Sequence, residues 1–387
     1  MAEVAVLLLA SVSMWRRPAG VPMWLPPALG ALLVVTLGWL SFGEARAALD
    51  DVRAPLLFLV VAVPLAVALD DIGVFAAVAA VVDGGRHLVA WLWVLAAGVV
   101  VVFNLDAAVV LLTPLYCRLA RRHGLDAESL ALQPALLACL ASGILPVSNL
   151  TNLIVAERFD LGATDFLVEL APPFLVATGV GYLAYRRACP TGGSLQTIDE
   201  PVDPTALRRG LPIVGFVLVG FTVGDAVGVE AWIVALAALA AASALTTRVR
   251  WREVPVEAIT VAAGFVVLVA AASPHLALAD WFGGTSANDQ IRSVGVATLM
   301  SNLTNNLPTA LAAVGSIDDP GDSWPILIGT NIGSVFLVTA SLSTMLWRDT
   351  ARRHGVVVSP WRWTRVALQV GTPALVAATL VRIAVSR

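Results

Sequence analysis

The chain has 387 residues, 58% of them hydrophobic and only 13% charged, with a formal net charge of −3. Soluble domains carry about a quarter charged residues, so this composition points away from a soluble fold, and a near-neutral chain has no bulk charge suited to nucleic acid. The three cysteines, Cys117, Cys139 and Cys189, lack CxxC spacing, and the four histidines form no zinc pattern. Neither a disulfide framework nor a metal centre is expected, and no cofactor motif is present.

Apolar runs and their breakers place membrane segments, in chain order, at residues 4–14, 21–40, 54–80 (broken near Asp70–Gly73), 87–103, 104–119, 130–144, 149–156 and 166–185. Several exceed the roughly 18 residues needed to cross a hydrocarbon core of about 30 Å. The N-terminus lacks the basic region of a cleavable signal. Residues 188–209 then turn polar and rich in turn formers, too hydrophilic to span. Apolar segments resume at 211–227, 231–246, 254–272, 294–314, 324–347 and 366–385. The chain thus divides into a first membrane repeat (1–187), a linker (188–209) and a second membrane repeat (210–387). Arginines at 186, 187, 208 and 209 flank the linker, and basic residues are enriched in short cytoplasmic loops. The linker is therefore assigned to the cytoplasm.

The two halves look related. Phe103-Asn104-Leu105-Asp106 opens an apolar stretch in the first half, and Ser301-Asn302-Leu303-Thr304-Asn305-Asn306 opens one in the second. Each half then offers a second polar break: Ser148-Asn149-Leu150-Thr151-Asn152 and Ser341-Leu342-Ser343-Thr344. Unwound backbone at membrane depth survives only where it faces protein or a watery cavity. Interrupted segments at matching places in two halves are a pointer to a transporter site.

The breaks hold amides and hydroxyls, which exchange hydrogen bonds without burying an ion. Half-helix N-termini beside them add partial positive charge. An isolated Ser or Thr, such as Ser142 or Ser273, reads as glue between helices. Ser-Asn-Leu-Thr-Asn occurring twice, at 148–152 and 301–305, reads as a site. Asp106 is the acid most deeply set in apolar sequence, and intramembrane acids are costly and usually functional. It is the candidate for carrying a coupling proton, against the alternative of a helix N-cap. Asp70 and Asp71 read as a helix end at the interface, and His275 as an interfacial residue with a relay as the alternative.

At these residues the chain resembles the bacterial arsenite efflux pumps (arsenical pump membrane proteins) of the ion transporter superfamily. The elements that carry the resemblance are Leu69-Asp70-Asp71-Ile72-Gly73, the 104–114 stretch, Pro146-Val147-Ser148-Asn149-Leu150-Thr151-Asn152, the 301–308 tip and Ser341-Leu342-Ser343-Thr344-Met345-Leu346-Trp347. The resemblance implies an all-α polytopic fold of two inverted repeats, each with a re-entrant helical hairpin and a broken transmembrane helix. It implies hairpin tips at 104–108 and 301–306, broken helices at 148–152 and 341–344, and Asn331 just before the last break. The substrate-binding set is then Asn104, Ser148, Asn149, Thr151, Asn152, Ser301, Asn302, Thr304, Asn305, Asn306, Asn331, Ser341, Ser343 and Thr344. The first tip departs from the pumps' usual Ala-Asn-Asp-Gly, since Leu105 separates Asn104 from Asp106.

The implied function is secondary transport: export of arsenite or antimonite in exchange for protons, in the bacterial inner membrane. A sodium- or proton-coupled anion symporter of the same superfamily is the alternative. Membrane lipid, a homodimer and a soluble ATPase are the implied partners; no nucleotide-binding loop is present in the chain. An intramembrane enzyme would need a nucleophile with its base or an H-E-x-x-H cluster, and neither occurs. A passive pore is disfavoured by breaks that converge on one midplane site.

Overall fold

A spanning segment in hydrocarbon must satisfy its own backbone N–H and C=O groups, and here every regular element is a helix among the described residues. The computed structural model describes residues 1–16, 20–82, 87–190, 203–224, 227–246 and 251–386. The first half opens with α1 (Ala2–Arg16), α2 (Leu25–Thr36) and α3 (Phe42–Asp50). Next come α4 (Arg53–Ile72) and α5 (Val74–Val82), separated by the single left-handed Gly73 at φ 87°. The break expected near residues 70–73 is this one glycine. Helices α6 (Leu88–Phe103) and α7 (Leu105–Arg122) meet at Asn104. They are followed by α8 (Ala127–Leu140), a 3₁₀ turn at Pro146–Ser148, and α9 (Leu150–Phe159). The half closes with α10 (Ala163–Glu169) and α11 (Ala171–Ala188), which adjoin at a 54° bend.

The second half runs through α12 (Pro204–Val223), α13 (Ala231–Thr246), α14 (Val256–Ala272) and α15 (Ala287–Thr304). It continues with α16 (Asn306–Val314), α17 (Ser323–Asn331), 3₁₀ turns at Gly333–Val335 and Val338–Ala340, α18 (Leu342–Arg353) and α19 (Pro360–Val385). Helices α4, α12, α14 with its 3₁₀ extension, and α19 are each long and apolar enough to cross a membrane alone, and α10 with α11 does so as a pair. The protein is an all-α polytopic membrane protein.

Some boundaries differ from the sequence reading. The segment expected at 21–40 is followed by a separate helix, α3, set by a capping box in which Ser41 and Glu44 satisfy each other's backbone N–H. Asp203 accepts from the N–H groups of Thr205 (2.8 Å) and Ala206 (3.2 Å). That cap starts α12 at Pro204, so the last residues of the stretch read as linker are helical; residues 191–202 lie outside the described residues. The single segments expected at 294–314 and 324–347 are each divided, the first at Asn305 and the second by the two 3₁₀ turns.

Packing between the halves is reciprocal. Helix α13 lies on α4 and α2 on α14, while α7 lies on α18 and α9 on α16. The two closing helices, α11 and α19, lie on each other. In lipid, helix association relies on close van der Waals approach more than on apolar burial. The α2–α14 seam accordingly sets Gly30 against Leu268 and Gly264 against Pro27, where an added Cβ would stand 3.1 and 2.7 Å from its neighbour. Leu368, Val376 and Leu380 stay exposed on α19, as a lipid-facing surface requires.

Candidate functional site

The two hairpin tips share one unusual backbone. Asn104 sits at φ 87°, ψ 149°, and Asn305 at φ 121°, ψ 154°. This region belongs almost solely to glycine, and another residue pays about 1–3 kcal/mol to stay there. Both asparagines use the side chain to hold it: Asn104 Oδ1 accepts from Asp106 N–H at 2.8 Å, and Asn305 Oδ1 from Leu307 N–H at 3.2 Å. Asn104 is therefore the N-cap of α7. The capping role considered for Asp106 is filled two residues earlier, by Asn104, and its carboxylate is left for other contacts.

The second breaks also match. Asn149 (φ −148°, ψ 141°) and Ser341 (φ −139°, ψ 142°) each follow a 3₁₀ turn in extended conformation and stand at the N-cap of a half-helix, α9 or α18. Asn149 Oδ1 accepts from Thr151 N–H at 3.2 Å. Thr344 instead holds its own turn, its hydroxyl donating to the Val338 and Ser341 carbonyls at 2.7 and 2.8 Å. Structure thus pairs Asn104 with Asn305 and Asn149 with Ser341. The repeated pentapeptide is not the structural repeat: its copy at 148–152 opens a helix, and its copy at 301–305 closes one. Asn302 accordingly bonds backwards and sideways, donating to Thr298 O (2.8 Å) and Gly333 O (2.7 Å) and accepting from Leu337 N–H (3.0 Å).

Asn331, at the end of α17, is where the halves meet. Its Oδ1 accepts from Asn149 Nδ2, and its own Nδ2 donates to Asn152 Oδ1 at 2.8 Å. Asn152 in turn donates to the carbonyls of Ser142 (2.6 Å) and Leu145 (3.2 Å). The Ser142 hydroxyl reaches Asn331 Oδ1 at 3.4 Å, so this residue belongs to the cluster rather than to a distant helix seam. A second link joins the halves: Ser343 on α18 donates to the Asp106 carboxylate on α7. Asp106 is buried and makes no ion pair among the described residues. Within each half, Ser148 donates to Val101 O (3.0 Å) and Asn305 to Thr339 O (3.2 Å), tying break to hairpin.

The remaining candidates differ. Thr151 Oγ1, Ser301 Oγ and Asn104 Nδ2 are buried with no hydrogen-bond partner among the described residues, so each is a buried polar atom that asks for a partner. Asn306 is buried at the start of α16. Thr304 bonds only within its own hairpin, to Met300 O and Thr309 Oγ1, both at 3.0 Å. His275 is 41% exposed, with Nε2 3.4 Å from the Glu3 carboxylate. Asp70 and Asp71 are exposed at the end of α4.

Residues that sequence reading passed over include Ser334, whose hydroxyl donates to Asn331 O at 2.8 Å and lies 3.7 Å from Cys139 Sγ on α8. Gly333 is another: a Cβ there would stand 2.1 Å from Thr298 Oγ1, so α15 reaches the break only because the side chain is absent. The Gly329-Thr330-Asn331-Ile332-Gly333 spacing carried that signal.

Comparison with known proteins agrees with this architecture. Residues 6–344 match the model of the CitMHS family, described as citrate transporters. The arsenical pump membrane protein of Escherichia coli (strain K12) is 25% identical over 412 residues, covering 96% of this chain and 95% of its own. The protein of the same name from Shigella flexneri is equally similar. The silicon efflux transporter LSI3 of Oryza sativa subsp. japonica is 28% identical over 159 residues, 40% of this chain and 32% of its own. Full-length similarity to bacterial pumps, together with the apolar helices, makes this a multi-pass protein of the bacterial inner membrane. With its broken helices meeting at a buried polar centre and 339 of its residues matched, the chain is a membrane transporter that belongs to the CitMHS family.

Proposed function

We propose that the protein exports arsenite, and by the same chemistry antimonite, in exchange for protons. The observation that carries this reading is the Asn331 cluster, amides and hydroxyls from both halves with no arginine among their hydrogen-bond partners, together with a second cross-half contact, Ser343 to Asp106, that supplies one acid. Arsenite is largely the neutral trihydroxide near pH 7, and such a ligand needs hydrogen-bond donors and acceptors rather than a counter-charge. The full-length relatives named arsenical pumps support the same substrate class.

In this reading the orphaned atoms of Thr151, Ser301 and Asn104 contact the substrate, together with the other tip and break residues. Asp106 carries the proton, and Ser343 couples its state to the other half through their shared hydrogen bond. The halves are inverted repeats with re-entrant hairpins. That assignment is supported by α7 and α16, which open at matching tips and each lie on the half-helix of the other half, α18 and α9. Arg121 at the end of α7 donates to His354 O at the end of α18 (3.2 Å). A homodimer and a soluble ATPase docked on the cytoplasmic side, where the linker lies, complete the reading.

The family description as citrate transporters favours a second reading, symport of a carboxylate with sodium or protons. The two separate in proteoliposomes of purified protein. Arsenite movement that follows an imposed pH gradient, ignores sodium and is lost in Asp106→Asn supports the exporter. Sodium-dependent citrate uptake without arsenite movement replaces it with the symporter.

A further inference from the structure

Two cavities flank α9. One, of about 190 Å³, lies between Pro146, Leu153 and Glu157 on one wall and Phe221, Glu230 and Trp232 on the other. The second, of about 680 Å³, is lined by Ile154, Glu157 and Arg158 of α9 and by Leu311, Val314 and Gly315 of α16, and is closed by the end of α3 and by α14. Glu157 belongs to both. The placement follows from the breaks. Helix α9 starts at Asn149 and α16 at Asn305, both in the candidate site, and the two run packed together to the larger cavity. The smaller cavity touches Pro146 and Val147, the turn that precedes Ser148. Each cavity therefore abuts elements that begin at the site.

Charge on these walls is predominantly acidic. Among the described residues, Asp50, Asp51, Glu157, Asp160 and Glu230 line the two cavities against one arginine, Arg158. Arg46, 3.6 Å from Asp50, and Arg53, which acts on Glu157, lie just outside. Counting both, five carboxylates face three guanidinium groups. Partial burial, and next the Glu230 carboxylate, hold the Glu157 carboxyl above its ordinary range, with Arg53 opposing. At the ends of α7 and α18 the sign reverses, with Arg121, Arg122, Arg352 and Arg353 in the last turns. Basic residues mark the cytoplasmic side. Helix α12 is long enough to span, starts beside the linker assigned there and ends at Gly220 and Phe221 in the wall of the smaller cavity, so the acidic cavities open on the opposite side.

We propose that these cavities are the outer mouth of the transport path, and that their carboxylates make it a charge filter that passes uncharged hydroxylated species and cations and repels anions. This rests on the reading of the breaks as the substrate site, and it narrows the substrate to a neutral species. A cleft lined by one sign of charge changes encounter rates of charged species by about 10- to 1,000-fold at low salt. A neutral trihydroxide feels no such barrier, while protons returning through the mouth are concentrated there.

The test uses cysteine reporters at Ala156, in the smaller cavity, and Ala270, in the larger, in full-length protein whose Cys117, Cys139 and Cys189 are replaced by alanine. Each is labelled in proteoliposomes with cationic, neutral and anionic methanethiosulfonates at low and high salt. The cation-to-anion rate ratio, relative to a small free thiol, is expected to rise about tenfold or more at low salt. It should fall toward the free-thiol value at high salt and in Glu157→Gln/Glu230→Gln. A ratio equal to that of the free thiol, or one unmoved by the glutamines, overturns the filter. Failure of even the neutral reagent to reach either cysteine overturns the open mouth. Because labelling needs no substrate, a charge-selective mouth in a protein that moves no arsenite would leave the filter standing and remove the proposed substrate.

Discussion

Asn331 commits both ends of its amide to the other half of the chain, accepting from Asn149 and donating to Asn152. Truncating it leaves two buried amide groups short of a partner, and each such loss costs about 1–3 kcal/mol. Asn331→Ala is expected to lower the thermal midpoint in detergent and to abolish transport, whereas Asn331→Gln should keep part of the stability and little of the transport. At Asp106 the expectation is different. Ser343→Ala removes the only hydrogen bond made by its carboxylate among the described residues, and Ser343→Thr restores a hydroxyl. If that bond links proton carriage to movement, Ser343→Ala loses gradient-driven flux while still binding substrate, and Ser343→Thr recovers it. Equal flux in Ser343→Ala and wild type would remove Ser343 from the coupling. The polar residues themselves were readable in the sequence, because asparagine in a membrane segment has few reasons to be there. Their partners were not: Ser142 looked like an ordinary helix serine, and its proximity to Asn331 arises only when α8 and α17 are brought together.

At the scale of elements, the tips depend on asparagines held where glycine is at ease. Asn305→Gly should therefore fold with near-native stability, since relief of strain offsets the lost cap, whereas Asn305→Ala keeps the strain without the cap and should lose about 1–3 kcal/mol. Comparing their melting temperatures checks this, and equal values would show that the φ is not strained. Gly333→Ala presses a methyl against Thr298 and pulls the Gly333 carbonyl from Asn302; overpacking of this kind costs about 1–3 kcal/mol. It should depress transport more than expression. Breaks were legible because Asn, Pro and Gly interrupt apolar runs; Asn104 and Asn305 fall within the stretches read as tips, whereas the 3₁₀ turns at 146–148, 333–335 and 338–340 begin before the stretches read as broken helices. The identity of 148–152 with 301–305 misled because equal side chains suit opposite helix ends: one asparagine caps forward, the other bonds back to a carbonyl one turn earlier. Helix α3 was missed although Ser41 and Glu44 stood at capping-box spacing, since its apolar content is too low to register among membrane runs.

For the whole molecule, the hydropathy pattern sufficed to specify an all-helical membrane fold, because backbone satisfaction in lipid leaves few alternatives. Reciprocal packing of the halves was beyond it, since which helix lies on which depends on small residues such as Gly30, which lets Leu268 in, and Gly264, which lets Pro27 in. That packing is what gathers tips and breaks from distant sequence into one centre. Arsenite accumulation in everted membrane vesicles of a pump-deficient host, under an imposed pH gradient, tests this centre most directly. Wild-type protein is expected to accumulate arsenite, and Thr151→Ala and Asn302→Ala to reduce the initial rate about tenfold, the equivalent of about 1.4 kcal/mol. Folded wild-type protein that moves no arsenite, or variants that match its rate, would contradict an arsenite site at the breaks.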